Sequence, residues 1–294
     1  MTTPRLGPDR EDADWWIEES LESIDYWQKE IRAGETADQG TYTSMYLDYM
    51  RLGRARYLHG LWFQSRSTRE AVKEARAAFQ KAAECIEMSF RMAYDPTLPE
   101  YVGDQADWSC VEETDAIDGF NAAFIASDFA LARRFAPWPR PPPDGVRMDA
   151  NVCNYVEALQ AYLHNDSAEA TRLLRANLTL FEQHKARLHD GDADAQEDQE
   201  EGGVTNYHTL STALLGIVEK NERRFNGGLA AHLELYARDD IGPHSENYGT
   251  DEEFICDQAI ALANLGLWAG LKLHTKHRLM PNDLLISAYP PINK

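Results

Sequence analysis

The sequence predicts an all-α protein: stacked antiparallel helical hairpins forming one α-helical array of about nine helices, with no sheet. Three observations point there. Apolar residues recur at three- and four-residue spacing through most of the 294 residues, as one buried helix face requires. The segments Tyr155–Ala170 and Thr212–Leu229 each read as helix, tight turn, helix. No segment combines strand alternation with a hairpin turn.

The elements follow in order. Residues 1–9 hold two prolines and no periodicity, and read as a tail. From Asp12 to Ile31 the residues Trp15, Trp16, Ile17, Leu21, Ile24, Trp27 and Ile31 mark a helix, and eight acids from Glu11 to Glu30, against the single Lys29, give it an acidic outer face. A second helix spans about Thr41 to Phe63, and a third about Thr68 to Met92, opened by Ser67/Thr68 with Glu70 and Glu74 in the early turns. The stretch Arg51–Arg76 holds seven Lys or Arg and only two acids. Its expected role is to neutralise the acidic first helix from within an antiparallel bundle. A fourth helix is predicted over about Val111–Ala136.

The run Pro137–Gly145 then punctuates the chain, with prolines 141–143 suited to extended polyproline geometry. A single domain, 10–292, is therefore expected as two helical halves, 10–136 and 149–292, joined by the Pro-rich connector 137–148. The second half begins with a helix over Ala150–His164. The turn Asn165-Asp166-Ser167 caps the next one, which reaches about Leu188. Seven carboxylates in residues 190–201 imply a solvated loop. Helices follow over about 205–220 and 222–237, then a turn-rich loop over 238–251. A final helix is expected over about 252–277, apolar on most faces and the most buried element. Leu159 and Leu173 match Leu215 and Leu229 at an offset of 56 residues, but Leu163 falls opposite Glu219, so the hairpins are similar without forming a true repeat.

Composition narrows the function. Forty-nine acids against 29 Lys and Arg give a net charge of -20, which repels nucleic acid and anionic lipid and attracts basic partners. No apolar run is long enough for a membrane-spanning helix, and the N-terminus carries no secretory signal, so the expected location is the cytoplasm. The four cysteines show no C-x-x-C pair and read as reduced, structural residues.

Catalytic, cofactor and metal sites are all expected to be absent. Gly-rich phosphate loops, nucleophile elbows and zinc helices do not occur. His274 and His277, beside Lys272, Lys276 and Arg278, suit a helix C-terminus better than a metal. Glu112, Asp115 and Asp118 could form an acidic stripe on one helix. Acids in a first helical turn favour the dipole, so the structural reading is preferred there.

The second half resembles a known family. The segments are Asn154-Tyr155-Val156-Glu157-Ala158-Leu159-Gln160-Ala161-Tyr162-Leu163, Leu214–Glu219, Arg224–His232, Ala261–Leu267 and the closing Leu279–Leu285 with Pro281. In that order they resemble the all-helical immunity proteins of bacterial polymorphic toxin systems, specifically the family numbered forty-nine, over about residues 154–285. The resemblance implies a protein that binds and neutralises a cognate antibacterial toxin, with no catalytic residues to carry over.

The expected partner is a protein toxin with a basic active-site surface, which an acidic protein reaches quickly by electrostatic steering. The contact residues favoured by the sequence are the loop acids Asp190, Asp192, Asp194, Glu197, Asp198, Glu200 and Glu201, with Asp239, Asp240, Glu246, Asp251, Glu252 and Glu253. These are expected to be exposed and uncommitted to packing. Two other readings stand beside it: a helical-repeat adaptor for peptide segments, and a helical enzyme using the acids near Glu112–Asp118.

Overall fold

Apolar spacing sets the helices, and special backbone conformations set where they stop. The computed structural model describes residues 10–32, 38–63, 68–140, 149–191, 203–242, 245 and 249–286. Ten α-helices occur among them: α1 (Arg10–Arg32), α2 (Gln39–Phe63), α3 (Thr68–Tyr94), α4 (Glu113–Ile125), α5 (Phe129–Phe135), α6 (Ala150–Leu163), α7 (Ser167–His189), α8 (Gly203–Val218), α9 (Glu222–Asp239) and α10 (Asp257–Trp268). No strand occurs among the described residues. The all-α array expected from the sequence is the observed fold class.

Two expected helices are corrected. The fourth breaks into α4 and α5 because Ser127 sits at φ 63° and Asp128 starts a new helix, its carboxylate accepting from Leu131 N at 2.9 Å. The last helix ends early, at Trp268, because Gly270 takes φ 86°, a conformation that costs glycine little. His274 and His277 therefore lie on an irregular segment beyond the helix, and the dipole role expected for them does not apply.

One turn design joins three helix pairs. Ser127-Asp128, Asn165-Asp166 and Lys220-Asn221 each place a residue at φ between 55° and 65° and then an N-cap. In each, the cap's N–H reaches back to the preceding helix: Asp128 to Ala123 O, Asp166 to Ala161 O and Asn221 to Gly216 O, at 2.8–2.9 Å. The cap side chains in turn accept from Leu131, Glu169 and Arg224 N–H groups. Helix C-terminus and helix N-terminus thus satisfy one another's orphan groups within a few residues.

The helices pack antiparallel. Asp14, Glu19 and Ser23 of α1 meet His59, Arg51 and Asp48 of α2, in reversed order. α8 and α9 approach so closely that a Cβ on Gly216 would strike the backbone of Phe225, and one on Gly228 the backbone of Ala213. The main apolar core runs from Ile24 through Phe120, Leu159 and Leu214 to Leu284, continuous across both halves, and a small separate cluster of Ala13, Trp16, Ala55 and Leu58 joins α1 to α2.

Helix α10 is the central element, with ten of its twelve residues buried, as expected for the last helix. Its Asn264 donates to Phe124 O and Leu284 O, both at 3.1 Å, and accepts from Ile286 N at 2.8 Å. Arg76 of α3 donates to Leu284 O and Leu285 O at 3.3 and 3.1 Å. The terminal segment is thereby stitched to both halves. At the connector, Gln160 donates to Ala136 O and Pro139 O at 2.7 and 2.8 Å; prolines 141–143 lie outside the described residues. Arg51 pairs with Glu19 of α1 as expected, whereas Arg54 and Arg76 turn towards the second half.

Candidate functional site

Arg54 lies on the buried stripe of α2, one turn after Met50 and one before Tyr57 and Leu58. Its side chain is only 13% exposed. A guanidinium taken out of water needs paired charge and hydrogen bonds to remain tolerable. Asp257, the first residue of α10, supplies most of it: Arg54 Nε and Nη2 both donate to Asp257 Oδ2, at 2.8 and 2.6 Å. Arg54 Nη1 donates to Asp251 Oδ2 at 2.8 Å and lies 3.4 Å from Glu252 Oε1. Burial opposes the charge on Arg54, but Asp257, Asp251 and Glu252 together hold its pKa well above the ordinary guanidinium value.

A cavity of about 290 Å³ opens beside this cluster, lined by Arg54, Glu252 and Asp257 together with Asp118 and Asn121 of α4 and the rings of Tyr207 and Tyr236. Asp118 is unusual. Burial pushes its carboxyl up to about 7; Arg54 opposes this, while Asp257, Asp115 and Glu252 add repulsion. Asp115 is raised to about 6, again chiefly by burial. Tyr46 donates to both, at 3.3 Å to Asp115 and 3.5 Å to Asp118. Asp257 and Glu252 are raised first by burial, against the pull of Arg54. Tyr207 and Tyr236 are raised mainly by burial, so both phenols stay protonated.

The acids near the start of α4 divide between two roles. Asp115 accepts from Glu112 N at 2.9 Å, a helix-start role in line with the sequence reading. Asp118, one turn further, faces the cavity instead. Acids therefore do converge in a pocket, but around an arginine.

The loop acids are dispersed. Asp192, Asp194, Glu197, Asp198, Glu200, Glu201 and Glu246 lie outside the described residues. Asp190 caps the end of α7 and is exposed. Asp239 is exposed and pairs with the adjacent Arg238 at 2.6 Å. Asp240 is half-buried, and burial followed by Asp239 and Glu252 raises its carboxyl to about 6. Glu253 accepts from Gly249 N at 3.0 Å. The expectation that this loop's carboxylates are uncommitted is corrected for Asp251, 7% exposed, and for Glu252, because the buried Arg54 recruits both.

No local pattern singles out Asp257 or Asn121. For Arg54 a signal existed: a base at helical spacing from Met50 and Tyr57 must be compensated somewhere. Its partners lie about two hundred residues away, beyond any local pattern.

Elsewhere, the four cysteines are buried and none is joined in a disulfide, and the Cys153 thiol donates to Glu113 at 3.3 Å. His232 sits fully buried between Thr209 Oγ1 at 3.2 Å and Cys256 Sγ at 3.4 Å, and burial lowers its pKa to about 4, so the ring is neutral. Among the described residues, no three metal-ligating side chains are grouped to hold an ion, and no helix is long and apolar enough to cross a membrane.

On its outer face α1 presents Trp15 and Tyr26, 56% and 54% exposed, along one stripe with the exposed Glu18 and Glu22. Exposed aromatics among acids on a rigid helix have the composition of a protein-contact surface. No family model matches this chain, and no curated protein or solved structure does either.

Proposed function

We propose that this chain is a cytoplasmic immunity protein that binds a cognate antibacterial toxin and covers its basic working surface, with no bond-making of its own. The observation that carries the reading furthest is the α1 stripe, where Trp15 and Tyr26 stand exposed beside Glu18 and Glu22. Supporting it are the net charge of -20 and the ordered resemblance of residues 154–285 to the immunity family. The aromatics supply the desolvated anchors and the acids supply steering towards a basic cleft. The contact surface proposed here includes α1 besides the loops.

Co-expression with the toxin encoded beside this chain tests the proposal. Rescue of growth, a one-to-one complex and association that slows steeply with salt are expected. Trp15→Ala combined with Glu18→Lys and Glu22→Lys should weaken the complex by about a hundredfold or more. Failure to rescue, or capture of many unrelated short peptides instead, defeats the proposal and favours an adaptor.

A second reading has one specific observation in its favour. A carboxyl at about 7 in a cavity, Asp118, lies in the range useful for proton transfer at neutral pH. Under that reading Asp118→Asn would abolish a turnover; under the first it leaves toxin rescue intact.

A further inference from the structure

We propose that the cavity beside Arg54 is a receptor for one arginine side chain presented on a peptide. This goes beyond the toxin-binding reading and does not rest on it.

Charge balance is the first support. Four carboxylates, Asp118, Asp251, Glu252 and Asp257, gather around Arg54, and the other cation at hand, Arg51, reaches only the outer side of Asp251, at 3.9 Å. Arg54 spends two donors on one oxygen of Asp257, Oδ2. The other oxygen, Oδ1, is left buried with no partner, in a residue 9% exposed. A second cation between Asp118 and Asp257 Oδ1 would satisfy an orphan acceptor and relieve the repulsion between these carboxylates.

A separate observation comes from Asn121. This residue is 3% exposed, lines the same cavity, and its amide Nδ2 has no hydrogen-bond partner. Orphan donors buried at this depth are rare and mark a place where an acceptor is missing. The occupant must therefore carry an acceptor oxygen as well as a cation. A peptide carbonyl next to a basic side chain meets both demands; a simple polyamine meets only one.

The aromatic walls select among cations. Tyr207 and Tyr236 both belong to the lining, and beside aromatic rings a planar, weakly hydrated guanidinium packs better than an ammonium. The volume, about 290 Å³, sits at the low end of ligand clefts and suits one side chain with its adjoining carbonyl.

Calorimetric titration of the full chain with N-acetyl-arginine methylamide tests this. Agmatine serves as the guanidinium lacking a carbonyl, N-acetyl-lysine methylamide as the ammonium, and magnesium alone as the metal. Saturable one-to-one binding of the blocked arginine is expected, several-fold tighter than the blocked lysine or agmatine. Asp118→Asn, which removes one carboxylate while keeping the shape, should weaken it about tenfold without lowering the melting temperature. Asn121→Leu should erase the preference over agmatine; if that variant does not fold, Asp118→Asn decides alone. The proposal is overturned by absence of saturable binding, by an affinity unchanged in Asp118→Asn, or by magnesium saturating the site where guanidinium does not. Agmatine binding as tightly as the blocked arginine overturns the peptide origin of the ligand.

Discussion

The hairpins and the seam around Arg54 are held together by opposite kinds of chemistry. In the α6–α7 and α8–α9 hairpins, each turn is completed by residues a few positions apart: Asn165 and Asp166 in one, Lys220 and Asn221 in the other. At the seam, α2 is joined to α10 and to the turn before it by charges brought from opposite ends of the chain. Local turns are individually modest and separable. A buried charge cluster stands or falls as a unit, because each member left alone is a desolvated ion.

The largest break in that comparison is Arg54→Leu. It leaves Asp251 and Asp257 buried without their cation, and urea unfolding should show a loss of about 3–5 kcal/mol. A loss below about 1 kcal/mol would mean that water already shields the cluster.

A smaller effect, of opposite sign, comes from Asp118→Asn. The native carboxyl is raised from 3.8 to about 7 by burial. Between those values the folded chain holds a proton that the unfolded chain has released, so the stability contributed by Asp118 falls as pH rises through that window. The variant should therefore exceed the native chain by on the order of 1–2 kcal/mol above pH 7 and match it near pH 4. Melting curves across pH check the crossover, and a constant offset at every pH would refute it.

The hairpins supply the smallest effects. Asp166→Ala and Asn221→Ala should each cost about 1 kcal/mol, and the double variant about the sum, since they cap different helices. Strong non-additivity would show that the hairpins are coupled as tightly as the seam.

That contrast also explains what could be read from the chain alone. Helix periodicity was legible nearly everywhere, and so was the cap at Asp166, because both are local; the like cap at Asn221 reads only as the gap between two helices. The break at Ser127 was masked because Ile125, Phe129 and Leu131 continue the apolar spacing across it. The early end of α10 was masked likewise: Leu271 and Leu273 still face the core, but from an irregular segment beyond Gly270. The helix-start reading preferred for Glu112–Asp115–Asp118 fits Asp115 but not Asp118, which lines the cavity. The seam itself was illegible, because nothing near Arg54 in sequence announces Asp257.

The stitched terminus sets an order of events during synthesis. Arg54 leaves the ribosome about two hundred residues before its counterions Asp251 and Asp257, which are followed by the strap that Asn264 and Arg76 hold. Until then the first half carries an uncompensated cation on its inner wall. Closure of the seam must wait for α10 and the strap after it, so a nascent chain stalled before α10 should remain open to proteolysis even with α1–α9 already formed.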